Sequence, residues 1–499
     1  MNLAYLHSTE ISFFSNAKEQ FKTLISDLES THCLNLEHGD VEQKIQAEGT
    51  EILRLLFQGF LDKKAADEVK YPQVKNKSGE ILNNVRQKTQ RKLTTLFGNV
   101  TVRRKSYGKP KQPSVFPLDA ELNLPVDQYS DGLRYRLAKE AIKCSFDDSI
   151  ESINETTGGK IAKKQSLNVV RNVAQDFDKY YEQTRFSTPE KNNGLLVLTF
   201  DGKGIVMRHD SLRDNTKKSA KKNNKLNSRL SPGEKKDRKR IAQVAAVYTV
   251  QPNVRTAESI MKLSPVDDNV LPFRDKIQNK RVWASVVRKA KDVVEEAFLE
   301  ALQRDPEQKR EWVVLIDGLP HQINLVKKAM KKLKVKASIV MDFIHVLEYL
   351  WTAVWCFYDK GDPAVEDWIA EKAVKILKGE CSQVAKGIRI SATKNNLVER
   401  KGVDKCATYL LKNKSRLQYG MALKAGFPIA TGVIEGACRH LINDRLDITG
   451  ARWSLDGAEA ILKLRSLKSS NDFDSYWDFH KEQEKNASSA ESVGGRRLL

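Results

Sequence analysis

The chain has little of what holds small secreted or metal-ribbon proteins together. Its six cysteines, Cys33, Cys144, Cys356, Cys381, Cys406 and Cys438, stand at least 25 positions apart (381 − 356; 406 − 381). Without a C-x-x-C pair, neither a zinc ribbon nor a disulfide framework has a basis. Only 14 prolines and 26 glycines occur in 499 residues, while 40% of positions are hydrophobic and 30% charged, which excludes a collagen-like chain and wholesale disorder. No apolar run approaches the roughly 18 to 20 residues that a bilayer span requires. The first segment, MNLAYLHSTEISFFSNAKEQ, is interrupted by His7, Glu10 and Lys18 and lacks the apolar core of a signal peptide. A cytoplasmic, nucleoid-associated protein without a membrane partner is therefore expected. Acid is scarce too: 64 Asp plus Glu against 85 Lys plus Arg leave a net charge of +21. That balance points to a polyanionic partner, nucleic acid before membrane.

The length predicts about three domains at roughly 150 residues each. Residues 1–125 read as a helical arm followed by a basic β element. EQFKTLISDLES and VEQKIQAEGTEILRLLFQGFLDKKA carry apolar residues at helical spacing, and in LTTLFGNVTVRRKSYG Val100 and Val102 alternate after the turn residues Gly98 and Asn99. Arg103, Arg104, Lys105, Lys109 and Lys111, with Tyr107 among them, suit a phosphate backbone or a charge-guarded edge strand. Residues 126–190 predict helices. One is capped by Ser145 and stops at Gly158-Gly159, and the next carries Lys160, Lys163, Lys164 and Arg171 on or near it, a helix-turn-helix spacing that an ordinary basic helical hairpin shares.

Residues 191–350 carry buried strands. LLVLTFDG ends in Asp201, IAQVAAVYTV fills 241–250, EWVVLIDG ends in Asp317, and a short strand from 336 to about 341 leads into a helix; WASVVRKAKDVVEEAFLEAL (283–302) predicts another helix. The insert 212–240 holds 12 Lys plus Arg against three acids, among them Lys221 and Lys222, and reads as a mobile loop that grips DNA or is merely solvated. A helical insertion is expected at 351–430, a C-terminal catalytic helix region at 431–485 and a disordered tail at 486–499.

Two acids at the ends of neighbouring core strands repel unless a cation sits between them. Hard Mg2+ takes oxygen ligands, and two such ions about 4 Å apart suit phosphodiester chemistry. The helix in TGVIEGACRHLINDRLDITGARWSLDG offers a third carboxylate, Glu435, for which an i, i+4 ion pair with Arg439 is the plain alternative. The separations, 116 residues (317 − 201) and then 118 (435 − 317), fit an α/β RNase H-like catalytic core with a helical insertion, preceded by a mainly helical N-terminal region with a small β element.

The blocks LTFDGKG, EWVVLIDG, IVMDFIHVLEYLWTA, TGVIEGACRHLINDRLDITGARWSLDGAEAILKLR and DSYWDFH resemble those of the ISKra-type insertion-sequence transposases. LFGNVTVRRKSYG and FPLDAELNLP extend the resemblance over roughly residues 85 to 485. The resemblance implies a DDE transposase with two divalent metals, Mg2+ or Mn2+ in its place, whose triad falls on Asp201, Asp317 and Glu435. Such an enzyme would bind double-stranded DNA at its element's terminal inverted repeats, cut there and transfer strands to target DNA. A homo-oligomer that pairs two ends is expected. Asp342 and His345 form a D-x-x-H block in which Asp342 competes with Asp317 as metal ligand, while His345 either places DNA or is a buried helix histidine. Arg439, Arg445 and Arg452 are candidate phosphate clamps, and Lys203 and His321 are weaker candidates. A structure-selective nuclease and a DNA-binding protein without catalysis are the alternatives.

Overall fold

A computed structural model describes residues 12–76, 78–183, 189–222, 238–261, 277–448 and 450–489. The chain divides into two compact units, residues 1–180 with 474–499, and residues 181–473. Among the described residues no helix is long and apolar enough to cross a membrane.

The first unit begins with α1 (Ser15–Leu28), the single-turn α2 (Thr31–Leu34) and the 30-residue α3 (His38–Asp67). α1 and α3 run antiparallel: Asp27 pairs with Lys44, Gln20 donates to Glu48, and a side chain at Gly59 would meet the backbone of Phe13. A short pair, β1 (Val74–Lys75) and β2 (Ile81–Leu82), precedes the hairpin of β3 (Asn84–Thr95) and β4 (Gly98–Gly108). The hairpin turns at Leu96-Phe97, because Thr95 already pairs with Gly98. Gly98 and Asn99, expected in the turn, instead open β4, and the positive φ of Gly98 lets the chain reverse there. Gln58 fastens α3 to β4 by bonding both the N–H and the C=O of Thr101.

After α4 (Pro117–Glu121), the helices α5 (Asp131–Ala141), α6 (Phe146–Thr156) and α7 (Lys163–Val173) form a three-helix group around Leu133, Leu137, Ile153, Val169 and Val173. Ser145 caps α6 as its sequence predicts, accepting from the N–H of Asp148. Gly158 and Gly159 follow because the carbonyls of Phe97 and Thr95 lie where any Cβ would go. α8 (Phe177–Gln183) leads out of the unit, and the last helix of the chain, Phe473–Ser489, returns to it. That helix reaches four residues into the stretch expected to be disordered; residues 490–499 lie outside the described residues. From it Glu484 takes a bidentate ion pair from the buried Arg134, and the fully buried His480 bridges Arg134 and Asp176.

The second unit is built on a five-stranded mixed sheet of order β7-β6-β5-β8-β9. Its strands are β5 (Leu195–Val206), β6 (Lys239–Val250), β7 (Gln278–Ser285), β8 (Trp312–Ile316) and β9 (Ser338–Met341). β5, β6 and β7 are antiparallel neighbours, whereas β8 and β9 run parallel to β5. Two sequence expectations are corrected here. Trp283 lies in β7 rather than at the start of a helix, since its apolar neighbours pair with β6 and the helix α11 begins only at Ala290 (Ala290–Arg304). β5 does not stop at Asp201, because its antiparallel partner β6 carries it on to Val206.

The basic insert begins as a helix, α9 (Asp214–Lys222), rather than a loop; residues 223–237 lie outside the described residues. α10 (Ala257–Ile260) precedes α11 in the chain, and α12 (Pro320–Leu333), which packs on α11, and α13 (Phe343–Val354) follow it. The insertion is helical as expected: α14 (Ala364–Leu377), α15 (Cys381–Lys394), α16 (Lys401–Asn413) and α17 (Tyr419–Lys424). α18 (Gly432–Cys438) continues through a π turn at Arg439–Asn443 into α19 (Asp444–Leu446), and α20 (Leu455–Ser469) completes the unit. Side chains alternate across a strand. Phe200 therefore stacks on Phe298 of α11 on one face, while Asp201 meets Cys438 of α18 on the other.

Candidate metal centre

Strand register assembles the centre. The parallel pairs of β5 and β8 keep a constant offset of 116, as in Thr199 with Leu315 (315 − 199). Continued by two residues, the same offset sets Asp317 level with Asp201. The pairs of β8 and β9 keep an offset of 25, as in Ile316 with Met341 (341 − 316), and the next step sets Asp342 level with Asp317. Asp201 lies within β5, and Asp317 and Asp342 directly follow β8 and β9, so the register brings three carboxylates side by side on neighbouring strands and at their ends. β8 ends at Ile316 and the chain turns away through Gly318, at φ 91°. That φ strains any residue with a side chain, so the glycine is what lets the chain turn directly after Asp317 at the C-terminal end of β8.

The members of the row differ in how they are satisfied. Asp342 is fully buried. Its Oδ1 accepts from the N–H groups of Ile344 and Thr431, and its Oδ2 lies 3.1 Å from His345 Nδ1. Burial works to raise its pKa, but the bonds from His345, Thr431 and Ile344 outweigh that and hold the carboxyl below the usual range. Asp317 has no such set of donors. Burial pushes it up to about 6; His345 opposes this, and the charges of Asp201, Asp342 and Glu435 reinforce it. His345 is held up at about 9 mainly by its bond to Asp342, against burial and with help from Asp317, whose Oδ2 is 3.9 Å from its Nε2.

Asp317, Asp342 and His345 bring ligand atoms within 4.8 Å of one another and could hold a metal ion. Asp342 caps α13 and fixes Thr431, whose hydroxyl donates to Glu435 Oε1 at 3.2 Å. It thereby holds the start of α18 against the row. Glu435 is exposed in the first turn of α18. The alternative of an ion pair between Glu435 and Arg439 is not what forms, because Arg439 points to Asp444, at 3.7 Å.

Sequence reading overlooked Cys438, whose thiol donates to Asp201 Oδ2 at 3.0 Å. Burial, then the charge of Asp201, pushes this thiol far above its ordinary value, so it stays protonated and remains a donor. Its position three residues after Glu435 was the available signal, since i and i+3 share a helix face. Thr431 was overlooked for a different reason: only the backbone trace around Asp342 reveals it.

Of the expected DNA contacts in the first unit, Lys160 is exposed shortly before α7, and Lys163 and Lys164 are exposed at its start, with Lys163 paired to Asp147. Arg171 is half-buried beside Asn168, and Arg103 is exposed but paired with Asp62. Arg104 is a correction: it is buried, bound to Asp119 at 2.9 Å and lies 4.0 Å over the Phe116 ring, so it braces β4 and cannot reach a phosphate. Tyr107 is likewise buried, its hydroxyl accepting from the N–H of Tyr71. In the second unit Lys221, Lys222, Arg439, Arg452 and His321 are exposed and Lys203 is half-buried. Arg445 is the second correction, because it is buried against the Trp453 ring at 4.9 Å and cannot clamp a phosphate.

The profile of a family described as an uncharacterised protein family (UPF0236) matches residues 39–221. The match runs from α3 into α9 and so includes Asp201 but not Asp317, Asp342 or Glu435. No curated protein matches the chain.

Proposed function

We propose that the second unit is an RNase H-like catalytic core and that the chain is a DDE transposase of the ISKra type, cleaving DNA at the ends of its element and joining them to target DNA. The observation that carries this reading is the row of acids facing Glu435. Asp201 and Asp317, 116 residues apart (317 − 201), converge with Asp342 and one histidine, and Asp317 is raised by burial first and then by the charges of its acidic neighbours. The antiparallel β5-β6-β7 with parallel β8 and β9 is the strand order such a core requires, and the helical insertion falls between β9 and Glu435.

The donor set fits a hard divalent cation, being carboxylate oxygens around an under-compensated acid. Asp201, Asp317 and Glu435 would hold Mg2+, with Mn2+ as substitute. Bound there, two ions would supply the positive charge that activates an attacking oxygen and stabilises a leaving one. Asp201 is kept in place by the Cys438 thiol and by its own neighbour, the N–H of Gly202. Asp342 is a positioning residue that aims His345 and α18. His345, protonated at neutral pH, offers an N–H beside Asp317 toward a phosphate oxygen. Lys160, just before the second helix of a helix-turn-helix-like pair, and Lys163 and Lys164, at its start, suit a DNA backbone.

The test is cleavage of a labelled duplex spanning the genomic flanks of the chain's own coding sequence, in Mg2+ and in chelator. Asp201→Asn, Asp317→Asn and Glu435→Gln should each lower metal-dependent cutting by about a thousandfold while leaving DNA binding intact. Metal-independent cutting, or cutting unchanged in these variants, overturns the enzyme assignment. Binding without any cutting favours a DNA-binding protein. Cleavage without joining to a target plasmid favours a nuclease.

A further inference from the structure

α3 carries an apolar stripe that the described chain does not cover. Ile45, Leu53, Leu56 and Phe60 are each between 41% and 46% exposed. With Gly49 and Ile52 they occupy one side of the helix, since the intervals 4, 3, 1, 3, 4 keep all six within about 100° at 3.6 residues per turn. This side is neither the one that bonds β4 through Gln58 nor the one that meets α1 through Lys44 and Glu48. On α1, Phe21 and Ile25 are exposed as well. In two antiparallel helices they are displaced from the α1–α3 contact in the same sense as the stripe, so both helices contribute to one apolar face.

We infer that this face joins two copies of the chain, α3 against α3 in antiparallel. Such a contact must be self-complementary about a two-fold axis, and the stripe is: its intervals read the same in either direction about a centre between Ile52 and Leu53. Ile45 then meets Phe60 of the second copy, Ile52 meets Leu53, and Leu56 enters the notch at Gly49, where nothing lies within 4 Å of a Cβ position. The charges fit the same direction. Residues 38–52 carry Asp40, Glu42, Glu48 and Glu51 against Lys44, a net −3 (1 − 4). Residues 53–67 carry Arg54, Lys63 and Lys64 against Asp62 and Asp67, a net +1 (3 − 2). An antiparallel pair sets the acidic half of each helix beside the basic half of the other, whereas a parallel pair would set acid on acid. Ile45, Leu53, Leu56 and Phe60 with Phe21 and Ile25 expose on the order of 400 Å2 of apolar surface per copy, given roughly 150–250 Å2 for an aromatic side chain. With their polar borders they come within reach of a standard interface of about 800 Å2 per partner.

The inference does not rest on the enzymatic reading, and its test is the assembly state of the full chain by sedimentation at micromolar concentration. Wild type should be a dimer. Leu53→Asp with Leu56→Asp should raise the dissociation constant by roughly a hundredfold or more with unchanged circular dichroism. Ile45→Lys alone and Phe60→Glu alone should each weaken the dimer, and the two together should restore it, which only the antiparallel register allows. On oxidation Leu53→Cys should give a covalent dimer absent from wild type and from Ala47→Cys, an exposed position off the stripe. A monomeric wild type, or dimers indifferent to these changes, overturns the inference. So does a chain that dimerises only after removal of residues 1–11, since the stripe would then be occupied by the chain's own N-terminus.

Discussion

The two units each gather a cluster of titratable groups, and the clusters differ in balance. In the first, the buried Arg134 is surrounded by Asp127, Asp131 and Glu484, and His480 ties it to Asp176. A cation stands at the centre of the acids, and the contacts lock Phe473–Ser489 onto α5. In the second, Asp201, Asp317, Asp342 and Glu435 have only His345 among the groups that shift Asp317 to oppose their charge. A compensated cluster holds a fold together; an under-compensated one is retained where it does something else. Crowding like charges side by side costs stability unless a cation arrives, so the second cluster is the one on which the proposed chemistry rests.

The largest expected effect of breaking this contrast is on activity, the roughly thousandfold loss on Asp317→Asn. Next in size is Arg134→Met, which strands Glu484 and Asp131 without their cation. It should cost about 3–5 kcal/mol of stability, read from urea unfolding, while wild-type-like cutting persists in the folded fraction. If Arg134→Met is neutral, the first cluster is not structural.

The acid row should show the opposite sign. Asp317 rises from 3.8 to about 6 on folding. Its protonated form therefore contributes stability fully present below pH 3.8 and lost as pH rises through about 6. At roughly 1.4 kcal/mol per unit, and with its side chain 16% exposed, Asp317→Asn should stabilise the metal-free chain by about 2 kcal/mol at pH 8 and by almost nothing near pH 4. Thermal melts across pH read this directly. Added Mg2+ should raise the melting temperature of wild type but not of the variant, and a variant less stable than wild type at pH 8 would show that the row is compensated after all.

His345 works in a higher window. Its raised pKa contributes stability present below pH 6.5 and lost as pH rises through about 9. With its side chain 35% exposed, solvent screening reduces the effect, and His345→Gln should cost about 1 kcal/mol at pH 6 and little at pH 10. Smallest is the surface: Lys164→Ala should weaken DNA binding severalfold and lower its salt dependence by about one charge, measured by fluorescence anisotropy at several salt concentrations.

Much of this was legible because it depends on local pattern. The runs LLVLTF and WVVLI could only be buried strands, and an acid after each run marked Asp201 and Asp317. Ser145 read as a cap and became one. Arg104 and Arg445 were misjudged because charge alone does not report burial: each basic head is drawn inward by an aromatic ring, with Asp119 as well for Arg104, partners far enough along the chain that no spacing announces them. The start of the helix at 290 was misplaced because VWAS is apolar enough for either period, and only pairing with β6 decided it.

The sequence by itself determined the net positive charge, which is a sum over residues, and the strand runs with their terminal acids and the apolar period of the helices, which are properties of neighbouring residues. Tertiary structure alone decided that Asp201, Asp317 and Asp342 share one row, that Asp342 is tied up by Thr431 and His345, and that Cys438 meets Asp201. Those facts follow from strand register and from which face of the sheet a helix covers, and register is set by pairing between segments more than a hundred residues apart in the case of β5 and β8, which no local spacing encodes.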